Sequence, residues 1–476
     1  FLSTLFGIVY ALISFGNHFN FRTYTYDLGA YTNALYDYAR FQWNDSSSFL
    51  LEPQNLLADH FDVYLPLFSP LSFLFGTYTL LLVQILALLT GGSFIYVYFR
   101  HRNAPTFLAV SAAVYFYAFY GVYGALATDY HSNVVAAALL PIFFYLIHVK
   151  KMKGASLMLL LLLIAKENMG LWLAFVCLGL SFTYWKEAIV RNYLWVAAGG
   201  CLLYFYAVLH WIMPSFANEQ YTYGLRYSYL GTNLTEAVSY IFNHPLDVLK
   251  TFFVPHTDDP FAQDVKASLH WILLSSGLPI LIKKPQYFFM LLPIYFQKLF
   301  HDNFLVWSIS YQYNIEFAPI FAIGVFSVIQ EIKAHKLQKA VCVLAIIMAS
   351  ASTIYMMDSA TVFLKRSQLR FYKADHYQRN YDVKKVHEAF KLIPKDAIVA
   401  AQPPFLPHLA LRDTIYNFPF IQDADYLVFS YLEEEMPFFP TKEAYVRFSD
   451  SLKQSNDWEV LLDDEVIILK RSELLQ

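Results

Sequence analysis

Charge is what this chain has least of. Only 15% of its 476 residues are Asp, Glu, Lys or Arg, against about 25% in an ordinary soluble domain. The net charge of −3 offers no basic surface, so nucleic acid is not a partner. Cysteine is scarce as well: Cys177, Cys201 and Cys342 all lie inside apolar runs, which excludes a disulfide framework. The chain has no glycine-rich phosphate loop and no nucleophile elbow, and a nucleotide-using cytoplasmic reaction has no motif to run on. Internal repeats, low-complexity tracts and the paired half-helices of secondary transporters are missing too.

Apolar residues fill the space. The chain is 57% hydrophobic and 19% aromatic, with a mean hydropathy of +0.39. Runs such as "TYTLLLVQILALLTGGSFIYVYF" and "VCVLAIIMASASTIYM" match the roughly 20 mostly apolar residues of a membrane helix. The pattern predicts a mainly α, polytopic membrane bundle of about 11 transmembrane helices. These fall near 1–16, 77–99, 105–126, 132–149, 152–166, 169–185, 192–214, 267–282, 285–301, 316–332 and 339–357. Residues 1–357 then form a transmembrane domain with outer loops 17–76 and 215–266. The opening run lacks a small-residue cleavage site and reads as a retained helix. Basic residues at Arg100, Lys151, Lys186, Lys283 and Lys336, with their basic neighbours, mark five inner loops and an inner N-terminus.

After residue 357 the composition shifts, and 358–476 predicts a small α/β domain. "DVKKVHEAFKLIPKDAIVAAQ" reads as an amphipathic helix, a proline turn and a strand. "DADYLVFSYL" and "EVIILKR" read as strands, with a helix across "KEAYVRFSDSLKQ". An odd number of spans makes this domain extracytoplasmic, on a multi-pass protein of the cell's inner (plasma) membrane.

Under that topology the unusual polar residues share the outer side. They include Asp27 and Asp37 in "TYTYDLGAYTNALYDY", Asp59, His60 and Asp62 in "ADHFDVYLPLFSP", then Asp129 and His131, then Lys166 and Glu167. Any one of these reads equally well as a solvated loop residue. Lys166–Glu167 is the exception. A fifth span of some 15 residues rises only about 22 Å, short of the roughly 30 Å hydrocarbon core. The pair therefore lies below the boundary, where charge faces a partner or a cavity. Asp27 and Asp129 are the acids placed to hold Mg²⁺ or Mn²⁺, although no ligand spacing demands a metal.

The stretches "YDLGAYTNALYD", "DHFDVYLPLFSPL", "DYHSN", "AKENMGL", "YQYNIEFAPIFAIG" and "IPKDAIVAAQPPFLPHLALRDTIYNFP" follow one another along most of the chain. Together they resemble a family of predicted prokaryotic membrane proteins known as a domain of unknown function. That family is itself similar to the GT-C superfamily of membrane glycosyltransferases. Two positions depart from the family pattern: Ser132 follows His131 in place of proline, and Asn168 follows Lys166–Glu167 in place of an acid.

The resemblance implies transfer of a sugar from a polyprenyl-linked donor to a lipid, glycan or protein acceptor at the outer membrane face. It places the catalytic acid at Asp27. His60, Asp129, His131, Lys166 and Glu167 are then substrate-binding candidates, with membrane lipids as further partners. The loop "QPPFLPHLALRD" is stiffened by Pro403, Pro404 and Pro407 and predicts neither helix nor central strand. It presents His408 and Arg412, either for substrate or for local structure. A lipid or polysaccharide transporter and a non-catalytic receptor or scaffold are the competing functions.

Overall fold

The computed structural model describes residues 1–48, 55–217, 223–359, 364–434 and 436–472. The expected outer loops 17–76 and 215–266 therefore each contain a short stretch, 49–54 and 218–222, outside the described residues. The protein is mainly helical, with a small sheet near its C-terminus. Among the described residues six helical segments are long and apolar enough to cross a membrane: Leu2–Phe19, Tyr64–His101, Thr106–Ala127, Ala188–Phe216, Gln312–Ile329 and His335–Ser359. Shorter apolar helices, Ser132–His148, Met152–Leu163 and Met169–Thr183, occupy three more of the expected spans. At 12 residues, Met152–Leu163 rises only about 18 Å.

The second segment begins well before residue 77. "YLPLFSPLSFLF" is helical, because Pro70 falls in the first turn of its short helix, where no amide donor is needed. The bend comes at Gly76, whose φ of 56° suits a residue without Cβ. The third segment breaks at Ala118–Phe119 into Thr106–Tyr117 and Tyr120–Ala127.

The basic loops gather at one end of the bundle. Lys150 pairs with Glu187 at 2.7 Å, Lys284 with Glu331 at 2.6 Å, and Arg102 donates to Ser327 at 2.8 Å. Helix Met152–Leu163 starts at this end. Past its other end, Val63 N donates to Ile164 O at 3.0 Å, where the acid- and histidine-bearing loops meet.

The C-terminal sheet has the order β2-β1-β3-β5-β4. Its strands are β1 (Val399–Ala401), β2 (Ile415–Asn417), β3 (Tyr426–Phe429), β4 (Trp458–Asp463) and β5 (Ile467–Arg471). β1 runs parallel to β2 and β3, while β5 is antiparallel to β3 and β4. Successive side chains point to opposite faces, so Val399, Ala401, Val428 and Ile468 pack on helix Val383–Ala389. Ala400, Leu427, Phe429 and Leu469 face Tyr445 of helix Lys442–Gln454. Both expected helices and three expected strands are present. β2 and β4 were not foreseen: one is three residues long, and the other, "WEVLLD", is exposed along most of its length.

The sheet domain is fastened to the first helix. Phe21 inserts into the cluster of Val386, Val399 and Phe405. The buried Arg22 donates to the carbonyls of Asp375 (3.0 Å), Gln378 (2.7 Å) and His376. Asn17 Nδ2 reaches Gln368 O at 2.9 Å, and Thr25 Oγ1 reaches Asn417 Oδ1 at 3.2 Å.

Candidate functional site

Asp27 sits in a five-residue π-helical turn, Thr25–Gly29, that leads directly into helix Ala30–Tyr38. Such turns are rare and concentrate at functional sites. The loop "PPFLP" packs behind it: a Cβ on Gly29 would lie 2.6 Å from the end of the Leu406 side chain, which would have to shift to admit it. Asp129 stands opposite with a left-handed φ of 58°, a conformation that Asp tolerates better than most residues. Its carboxylate accepts from Tyr24 N at 2.9 Å and from the Leu28 backbone, closing the Asp27 turn. Gln84, buried in the long helix Thr79–His101, donates to Asp129 O at 2.9 Å and accepts from His131 N at 3.0 Å. Through Gln84, that helix holds residues 129–131 in place.

His131 Nε2 lies 3.2 Å from Asp27 Oδ1 and 2.9 Å from the side-chain amide of Gln312. Its buried Nδ1 has no partner among the described residues. The carboxylate calls for a proton on Nε2, and the amide turned over would present its oxygen to that same proton. Although protein surrounds Asp27, its side chain is 43% exposed, because it opens into a cavity of about 280 Å³. Tyr24, Asp129, Tyr311, Gln312 and Tyr313 help line it. A wider hollow of about 370 Å³ between Ser228 and His244 contains none of these residues.

The two acids are driven apart electrostatically. Burial pushes the Asp27 carboxyl up, but His131 beside it, with His60 and Lys166 further off, outweighs this and holds it below the usual carboxylate range. Asp129 moves the other way. Burial, then the charge of Asp27, raise it well above that range against its two backbone hydrogen bonds. Two acids whose surroundings push them in opposite directions are the arrangement that acid–base sites use. Among the described residues no group of three or more His, Cys, Asp or Glu side chains is placed to hold a metal.

A second charged group borders the first. His60 Nδ1 lies 3.3 Å from Glu167 Oε1, and Phe61 N donates to Glu167 Oε2 at 3.1 Å. Lys166 Nζ is 3.5 Å from His60 Nε2, so the histidine stands between the lysine and its neighbouring acid. Arg226 approaches Asp59 at 3.3 Å. Asp62 is fully buried and receives Tyr64 N at 2.9 Å; burial pushes its carboxyl up to about 7. Tyr31 lies in the field of Asp27, Asp59, Asp62 and Glu167, between the two groups.

The structure thus brings together Asp27, His60, Asp129, His131, Lys166 and Glu167. Gln84, Gln312 and Arg226 join them. Gln312 stands within the quoted "YQYNIEF", but nothing in the sequence pattern singles out the other two. Asp37 is not brought in: it is buried, accepts from Asn44 Nδ2 at 3.0 Å, and burial pushes it up to about 7.

The two residues of the proline loop are also elsewhere. The loop is not free of helix, since Leu406–Leu409 forms a single turn. Arg412, 5% exposed, donates to the carbonyls of Leu409 (2.6 Å), Ala397 (2.7 Å) and Pro394 (3.4 Å). It braces its own domain. The His408 ring stacks on His18 with centroids 4.0 Å apart, and burial with His18 and His387 nearby keeps it neutral.

A largely helical chain with six membrane-length segments, a docked α/β tail and buried charge around one cavity defines a multi-pass membrane protein with a polar site. The chain belongs to the family described as Predicted membrane protein (DUF2079), whose profile matches residues 17–461. The match takes in both the helical part and most of the tail. No curated protein matches the chain.

Proposed function

We propose that the protein is an integral-membrane glycosyltransferase with a GT-C-like bundle of about 11 spans. It moves a sugar from a polyprenyl-phosphate donor to an acceptor at the outer face of the membrane, where the α/β domain also lies. The observation that carries this reading is the cavity-facing Asp27 carboxylate, kept ionised by His131 with Lys166 and His60 nearby. An inverting transfer needs one such base. The acceptor oxygen attacks the anomeric carbon, its proton passes to Asp27, and the bond from that carbon to the phosphate oxygen breaks. The electron pair leaves with the lipid phosphate. Because Asp27 is a weak base, the proton moves late, when bond formation has made the hydroxyl acidic. Lys166, His60 and Arg226 supply positive charge for the departing phosphate.

The test is transfer from labelled polyprenyl-phosphate sugars by the purified chain in lipid nanodiscs. Asp27→Asn keeps shape and most hydrogen bonding, and activity should fall by roughly 10²-fold or more with donor binding retained. Unchanged turnover in Asp27→Asn would remove the base from this scheme.

A further inference from the structure

A second feature lies away from the cavity, in the two consecutive helices Leu234–Asn243 and Pro245–Thr251. One face of this pair is satisfied by protein. Ala237, Tyr240, Ile241 and Val248 pack with Leu230, Phe252 and Phe300. A polar wall of Glu236, Ser239, Asn243 and His244 borders the wider hollow. The remaining face is apolar and uncovered: Phe242, Leu246, Leu249 and Phe253 are each between 60% and 79% exposed, and Val238 continues the stripe. Contiguous exposed apolar surface of this kind marks a contact with something other than water.

We infer that this stripe lies in the apolar interface of the lipid bilayer, as a surface-lying amphipathic helix pair. Continuity with a membrane-length helix identifies the occupant. The end of the pair is fixed to helix Ala262–Ser275: Gln263 donates to Phe253 O at 3.3 Å, and the Phe253 and His270 rings are 5.2 Å apart. On that helix Trp271 and Leu274 are again exposed. Its last residue, Ser275, meets Ser352 of His335–Ser359 at 2.9 Å, one of the described segments long enough to span, itself mostly uncovered by protein. Exposed apolar residues therefore lead from the helix pair onto a helix of membrane length. The pair carries Glu236 and Asp247 as well as Lys250, so insertion rests on apolar area rather than on attraction to anionic headgroups.

This contact requires no sugar transfer and stands or falls separately from it. Nitroxide labels are placed at Phe242→Cys and Leu249→Cys in the full chain, with Ser239→Cys as the polar-wall control; the three native cysteines are buried. In phosphatidylcholine nanodiscs, labels at 242 and 249 should relax with oxygen, which concentrates in lipid, and resist a water-soluble nickel chelate. The label at 239 should do the reverse. Nickel-dominated relaxation at 242 and 249 would overturn the inference. So would dipolar broadening between copies at those two positions, which assigns the stripe to a second copy of the chain.

Discussion

The shell of the cavity and the proline loop behind it use similar residues to opposite ends. Among the described residues a buried histidine nitrogen lacks a partner in both regions, His131 Nδ1 beside the cavity and His408 Nε2 in the loop, but only in the first does a carboxylate, Asp27, open to the cavity. In the loop, Arg412 gives its donors to three carbonyls and His408 is walled in by aromatic rings. A buried cation that meets only backbone oxygen holds a fold together. A cavity-open carboxylate that meets a buried histidine is available for chemistry. Residue type alone does not separate the two, but the identity of the partner does.

The broadest test is to ask on which side of the membrane the two regions lie together. The transfer scheme needs the cavity and the α/β domain on the outer side. Asn456→Cys, on the exposed turn before β4, should react completely with a membrane-impermeant maleimide in intact cells, and Lys151→Cys should not. The reverse pattern would turn the site toward the cytoplasm and end the outer-face reading.

Arg412→Ala should produce the largest loss of stability. It removes a charged donor from three buried carbonyls, at about 1.5–3 kcal/mol for a hydrogen bond to a charged group, so a total of several kcal/mol is expected. Thermal unfolding of the purified chain should shift strongly downward. Turnover per folded molecule should stay close to wild type. A variant with normal stability and lost donor binding would instead place Arg412 in the site.

Much of this was legible in the sequence, for identifiable reasons. Long apolar runs announce membrane helices because a bilayer tolerates little else. Sorting loops by their basic residues put Asp27, Asp37, Asp59, His60, Asp62, Asp129, His131, Lys166 and Glu167 on one expected side, and the resemblance to a known family singled out Asp27 among them. What escaped depends on contacts between distant segments. Gln84 looks like an ordinary interruption of a leucine-rich helix until residues 129–131 fold onto it. Arg226 becomes part of the site only by meeting Asp59. Arg412 stayed open between substrate and local structure for the converse reason: its carbonyl partners are backbone atoms, which no side-chain pattern records.

The smallest effect separates the acids themselves. Asp27 and Asp37 share one stretch of chain, yet Asp27 is held below the usual range while Asp37 is pushed up to about 7 by burial, with Asp45 and Asp413 adding to the shift. In the unfolded chain both titrate near roughly 4. Asp37 therefore keeps its proton longer in the folded state than in the unfolded one. Its contribution is fully present below pH about 4 and is lost as pH rises toward about 7. Asp27 behaves oppositely, contributing above its unfolded pKa and losing that contribution as pH falls through its lowered folded value. Unfolding can be followed with a thiol-reactive dye, since the cysteines are buried until the chain opens. Between pH 5 and 8 the stability of the Asp37→Asn variant should fall less, or rise more, than that of wild type; in both chains Asp62, also pushed up to about 7, adds to the fall, while His301 and His408, held below the usual histidine range by burial, oppose it. Asp27→Asn should leave the wild-type slope unchanged and differ from wild type by a nearly constant offset at these pH values. Identical slopes in wild type and Asp37→Asn would show that Asp37 is ionised throughout, and the contrast between the two acids would disappear.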